Sequence, residues 1–245
     1  ADIWYLAGGI DTLVGTTNAT WTYFDLPLRE DIVNLGSSKE LNQEQLLACE
    51  PDFVLASCGT DRNVELETFF EEAGLNVAYF SVNSFGDYLS VLNICTTITG
   101  CEDNYTAYGT NVEKEVDEAL SRVDGRAPTV LYVRASGKSC KVKNSEGSVL
   151  GEMLADMGCV NIADSNESLL EQLSMEVILK EDPDYIFVVL QSEDKTEAEK
   201  VLEDTLLSNP AWNTLTAVKE GRYHVMDPSL YNMKPDARWG EAYEQ

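Results

Sequence analysis

Positive charge is scarce in this chain, and histidine nearly absent. Its 245 residues include 17 Lys and Arg against 43 Asp and Glu, a formal net charge of −26, with a single histidine, His224. So acidic a surface repels phosphate backbones and anionic lipid headgroups, which argues against nucleic acid as a partner. One imidazole supplies neither a paired-histidine nor a histidine–carboxylate metal site. His224 lies in the strand-like run 223–226 (YHVM), where a core or sheet-edge role outweighs ligation. Apolar runs of the ~18–20 residues that a spanning helix needs are missing. A basic stretch followed by an apolar one, the mark of a secretory leader, is also missing, which leaves a cytosolic protein or a mature form. The six cysteines form no CxxC and have no neighbouring histidine, so zinc and redox motifs drop out. Cys95 and Cys101 are the nearest candidates for a local bridge. No nucleophile–base motif or Gly-rich phosphate loop occurs, so no catalytic residue or cofactor is assigned and the chain is read as a non-enzyme.

What is present is alternation. Hydrophobic residues make up 44% of the chain, enough for packed cores, and the length suits two domains of roughly 100–120 residues. Residues 42–49 read as a helix, 52–57 as a strand, 64–73 as a helix closed by Gly74, and 76–80 as a strand. The second half repeats the order: strand 129–133, helix 148–157 closed by Gly158, strand 160–162, helix 171–181 and strand 185–190. Glu50-Pro51-Asp52 and Asp182-Pro183-Asp184 are matching helix–Pro–Asp–strand junctions, and proline pushes the preceding residue toward extended geometry. Between the halves, 85–123 carries no strand signal, and 102–123 is a long polar helix with one thin apolar stripe, as expected of a strut. The expected architecture is an N-terminal α/β lobe over 1–100, a bridging helix over 101–124 and a C-terminal α/β lobe over 125–245.

Several segments in this order resemble the class III substrate-binding proteins of ABC importers, the group that binds ferric siderophores, cobalamin and haem. They are Ala7-Gly8-Gly9 through Val14-Gly15, Tyr23-Phe24-Asp25-Leu26-Pro27, the stretch 36–55, and above all 208–225 (SNPAWNTLTAVKEGRYHV). The resemblance implies two Rossmann-like α/β lobes joined by a long interdomain helix, with ligand held between them. A single rigid helix resists large hinge motion, so modest closure on binding is expected. It also implies that the first strand of lobe 1 precedes Ala1, since the chain opens inside the family's first helix. A cell-surface lipoprotein or periplasmic location follows, with membrane contact only through a lipid anchor outside this chain, and a monomer as the working state.

Ligand contacts are expected on loops at the carboxyl ends of strands. In lobe 1 these are Trp21 and Tyr23 in the first loop, and Cys58 and Arg62 after the strand 52–57. In lobe 2 they are Arg134, Lys138 and Lys141 in the segment RASGKSCKVK, then Tyr231, Arg238 and Trp239 near the end. Four cations within that ten-residue segment of an acidic chain suit an anion in a cleft; the plainer reading is a basic loop. The aromatics suit stacking on a bulky ligand, and Met233 and Tyr231 in the tail segment are the candidates for approaching a haem iron. The ranking is a ferric siderophore first, a corrinoid second and haem third. A permease–ATPase complex is the implied partner, docked through Glu65 or Glu67 on one lobe and Glu193 or Glu197 on the other. Alternatives are a metallocluster-carrying enzyme using Cys58, Cys95 or Cys159 on a related scaffold, and a sensor or adhesion domain that kept the clamp.

Overall fold

The computed structural model describes residues 1–38, 40–191 and 195–245. The chain forms two compact units, Ala1–Val112 and Glu113–Gln245. The division falls inside the helical stretch 102–120.

The first unit opens with helix α1 (Asp2–Leu6), strand β1 (Gly15–Thr16) and helix α2 (Ala19–Tyr23). β2 (Val33–Asn34), β3 (Gly36–Ser37), β4 (Glu40–Leu41) and α3 (Gln43–Ala48) follow. Asn42 caps α3 by accepting the Gln45 N–H at 3.0 Å, the role that short polar side chains play at helix starts. β5 (Phe53–Ser57) and β6 (Asn76–Phe80) pair in parallel. The predicted helix 64–73 between them is two helices, α4 (Asp61–Glu65) and α5 (Glu67–Glu72). Leu66 breaks the run: it leaves helical geometry at φ −85°, ψ 2° and buries its side chain with Leu35, Leu46 and Phe70. The limits of α6 (Phe85–Thr99) are set by a Ser84–Asp87 capping box and by Gly100 at φ +71°. The predicted strut is helical but not uniform. α7 (Glu102–Tyr105) runs through a π turn at Thr106–Thr110 into α8 (Asn111–Leu120), three residues short of the expected end. Its apolar stripe, Val112, Val116 and Ala119, is buried.

In the second unit β7 (Thr129–Ala135), β8 (Cys140–Lys143), β9 (Val160–Asn161), β10 (Tyr185–Leu190) and β11 (Tyr223–Met226) form one sheet. β11, β10 and β7 are parallel neighbours, while the far edge of β7 is shared by antiparallel β8 and parallel β9. The helices are α9 (Val149–Asp156), α10 (Ser168–Glu171), α11 (Met175–Glu181), α12 (Lys195–Leu202), α13 (Thr216–Lys219), α14 (Pro228–Tyr231) and α15 (Trp239–Glu244). Alternate residues of β7 and β10 (Leu131, Val133, Ala135, Ile186, Val188, Leu190) join Ile178, Ala198, Leu202 and Ala217 of α11–α13 in one core. Each such large aliphatic group contributes about 1.5–3 kcal/mol by leaving water. The intervening residues Val130, Tyr132 and Arg134 therefore project from the opposite face.

The twin Pro junctions differ from expectation in one respect. Glu50 and Asp182, each just before its proline, are left-handed at φ +44° and +42° rather than extended. Proline's δ-carbon excludes the right-handed helical region for its predecessor, and both preceding helices end by a left-handed residue instead.

Candidate ligand-binding site

The basic segment 134–143 is a β-hairpin, not a loop, formed by β7 and β8. Its turn closes with the Ser136 N–H on the Ser139 carbonyl at 2.8 Å and the Ser139 N–H on Ser136 Oγ at 3.1 Å. The alternation in Cys140-Lys141-Val142-Lys143 explains the second strand: Val142 is buried, Cys140 packs on the core, and the lysines take the other side. Register sets Lys141 opposite Arg134 and Lys143 opposite Tyr132. Residues directly opposite share a face, so one face carries Arg134, Lys141, Lys143 and Tyr132 together. Burial, then the charges of Arg134 and Lys141, holds Lys143 below the usual lysine value, so the three cations feel one another. Among the described residues no carboxylate pairs with Arg134, Lys138, Lys141 or Lys143. Arg134 donates instead to the neutral Asn232 Oδ1 at 3.4 Å. Lys138 is exposed in the turn, and the Glu197 carboxylate stands close over Gly137, where an added Cβ would meet it at 2.7 Å. Arg134 lies one residue from the carboxyl end of β7, where parallel sheets receive ligands. Unmatched cations on one face of a strongly acidic chain suit a polyanion.

The C-terminal candidates need correction. Trp239 is 0% exposed and Tyr231 2%. The Tyr231 hydroxyl donates to the Ala242 carbonyl at 2.8 Å, and Trp239 lies against Tyr243 at 6.2 Å. The tail is helical, with Trp239, Ala242 and Tyr243 turned inward, so both aromatics serve packing and cannot stack on a ligand. Arg238 is exposed, yet Glu241 holds it through two bonds of 2.6 and 2.8 Å. Met233 is half-buried just beyond α14.

In the first unit the expected first loop is helix α2. Trp21 and Tyr23 are 45% and 47% exposed, but residues two apart on a helix point to opposite sides, so they form no common platform. Cys58 is exposed directly after β5, its N–H bonded to the Phe80 carbonyl at 2.9 Å. Arg62 pairs with Glu65 at 3.1 Å. Glu67 and Glu197 are exposed, and Glu193 falls outside the described residues. All six cysteines are free, so Cys95 and Cys101 are unbridged: Cys95 is buried within α6, while the Cys101 thiol turns to the Thr99 carbonyl. His224 is exposed on edge strand β11, stacked on Phe187 at 5.6 Å. Sequence reasoning passed over Tyr132, counted Lys143 only among the four cations of its segment, and did not single out Asn232. The period-two pattern at 140–143 carried the signal for Lys143; nothing local pointed to Asn232.

A family model described as periplasmic binding protein matches residues 1–230. A cobalamin-binding protein of Halobacterium salinarum (strain ATCC 29341 / DSM 671 / R1) is 27% identical over 252 residues, which cover 98% of this chain and 66% of that protein. An iron-uptake system-binding protein of Bacillus subtilis (strain 168) is 23% identical over 198 residues, covering 79% of this chain and 61% of that one. This chain thus spans somewhat less than two thirds of the length of these relatives. Among solved structures, an ABC transporter substrate-binding protein from Listeria monocytogenes EGD-e superposes with a TM-score of 0.77 at 19% identity, over 99% of this chain and 92% of that one. At such identity the likeness is one of fold, and the α/β class expected from the sequence stands.

Proposed function

Because this chain belongs to the periplasmic binding protein family, we propose that it is the substrate-binding component of an ABC importer and takes an anionic metal chelate, foremost a ferric siderophore type. The observation that carries the choice of ligand is the cationic face of the β7–β8 hairpin. Arg134, Lys141 and Lys143 stand together without carboxylate partners among the described residues, on a chain whose net charge is −26. Such a cluster costs folding energy through mutual repulsion and is offset when an anion binds. The proposed setting is extracellular or periplasmic, as a monomer held to a membrane by an anchor outside the described chain and delivering to a permease–ATPase complex. No helix among the described residues is long and apolar enough to cross a membrane.

A corrinoid is the second reading, favoured by the likeness to the Halobacterium protein. The two separate by titration of tryptophan fluorescence, with exposed Trp21 as a reporter. Ferric citrate, a ferric catecholate siderophore, cyanocobalamin and haemin are the probes. Saturable quenching by an anionic ferric chelate, weakening with added salt, is the expected result. Quenching by cyanocobalamin alone replaces this reading with the corrinoid one, and no response to any probe removes both.

A further inference from the structure

Two buried hydroxyls, one of them on the cationic face, make no well-formed hydrogen bond. Tyr132 is 0% exposed and Ser148 is 7% exposed, and neither Tyr132 Oη nor Ser148 Oγ completes a hydrogen bond within the described structure. They are neighbours: the Ser148 hydroxyl bears on the Tyr132 phenol as a hydrogen-bonding side chain does, although the pair falls short of well-formed hydrogen-bond geometry. Ser148 stands at the N-cap of α9, where a serine ordinarily accepts a backbone N–H, yet its side chain makes no cap bond. Native proteins rarely leave buried hydroxyls unmatched, and those that remain call for an explanation. The phenol is kept protonated, its pKa pushed up to about 12 by burial against smaller opposite pulls from Arg134 and Ser148. Tyr132 is therefore a hydrogen-bond donor at any physiological pH.

Position gives these donors a use. Tyr132 shares its sheet face with Arg134, two residues on, and sits opposite Lys143. Lys143 is half-buried, long and flexible, and repelled by Arg134 and Lys141. The phenol is closed off in the unliganded protein, so a ligand reaches it only where the side chains around it move aside. We propose that Tyr132 and Ser148 are ligand-contacting, specificity-determining residues whose hydroxyls donate to a negatively charged oxygen of the bound ligand, beside the Arg134–Lys141–Lys143 cluster. The assignment rests on the chelate-binding reading above and narrows it. The deepest group of the ligand is an oxyanion such as a carboxylate or catecholate oxygen, and a ligand without one forfeits this subsite.

The test uses Tyr132→Phe and Ser148→Ala, which delete one oxygen each and keep the packing. Removing an unmatched buried hydroxyl relieves the unliganded protein, so each variant has an unliganded Tm raised by roughly 2–4 °C. Each weakens ferric citrate or ferric catecholate about 10-fold, the effect of one hydrogen bond to a charged group. Cyanocobalamin, if it binds, is unaffected. Unchanged affinity of both variants for every anionic chelate that the wild type binds overturns the assignment, and a lowered unliganded Tm with unchanged affinity marks the hydroxyls as structural. Citrate without iron separates this failure from that of the functional reading. If no chelate binds, but citrate raises the wild-type Tm and not that of Tyr132→Phe, the subsite stands while the chelate reading falls. No citrate shift in either protein, with no chelate bound, overturns both.

Discussion

The guanidinium of Arg134 has an amide oxygen beside it and two lysines for neighbours, and among the described residues nothing of opposite charge. A charge-assisted bond from this group to an anionic chelate is worth about 1.5–3 kcal/mol, so Arg134→Ala is expected to weaken chelate binding roughly 10- to 100-fold. Isothermal titration across a salt series checks it, because the difference from wild type shrinks as ions screen a half-exposed charge. Lys143 adds a pH signature. Burial and two like charges depress its folded-state pKa, so its charged form is disfavoured in the folded protein at all pH values below that pKa. Chelate affinity accordingly declines on the alkaline side at a pH below the ordinary lysine value of about 10.4. Lys143→Gln removes that alkaline limb and raises the unliganded Tm at neutral pH. A variant with an unshifted limb separates Lys143 from the site.

At the scale of elements, the junction between α11 and β10 shows how side chains set a chain reversal. Asp182, left-handed at the end of α11, accepts the Thr216 N–H at 2.8 Å and the Thr216 hydroxyl at 2.6 Å. Two residues later, Asp184 accepts the Thr129 N–H at 2.8 Å and its hydroxyl at 2.9 Å, joining the starts of β10 and β7. These bonds, the threonine hydroxyls and amides foremost, lower the pKa of both carboxyls. A depressed carboxyl stabilises above its unfolded value of about 3.9, and the contribution is lost as pH falls through the folded value. Thr216→Val deletes one bond to Asp182. Its Tm is expected to lie below the wild type's at pH 7 and to converge with it in acid well under pH 3.9, where Asp182 is protonated in both. Scanning calorimetry at the two pH values decides it, and an equal deficit at both means the hydroxyl acts through packing alone.

For the molecule as a whole, an excess of acid over base sets the terms of encounter. Long-range repulsion slows an anionic ligand at low salt, while the local cation cluster holds it once it arrives. The same acidity supplies surfaces for a basic partner. We propose Glu67, exposed at the start of α5, and Glu197, exposed in the first turn of α12, as contacts for the permease. Glu65 already pairs with Arg62, which makes it the weaker choice. Because the Glu197 carboxylate stands over Gly137 in the hairpin turn, its conservative change is the informative one. Glu67→Lys combined with Glu197→Gln is expected to abolish uptake in cells carrying the cognate permease while chelate affinity stays at the wild-type value. Normal uptake by that double variant removes both residues from docking.

Much of the secondary structure was legible because its causes are local. The Ser84 cap and Gly100 bracket α6, Gly74 and Gly158 sit left-handed after α5 and α9, and Asn76–Phe80 and Tyr185–Leu190 are strands by composition alone. The twin proline junctions told of a repeated grammar, and the scarcity of cations singled out the segment 134–143. What the sequence could not settle was sidedness. Trp21 and Tyr23 lose their common platform once α2 is a helix, and Trp239 and Tyr231 pass from ligand candidates to core once α14 and α15 pack. That Lys143 shares a face with Arg134 and Lys141, and that the buried Tyr132 phenol belongs to the same face, follows only from the antiparallel register of β7 and β8. Composition and short-range patterns determine which groups a segment carries and where it starts and stops. Whether a side chain meets ligand or core depends on register and burial, and both are set by residues dozens of positions away.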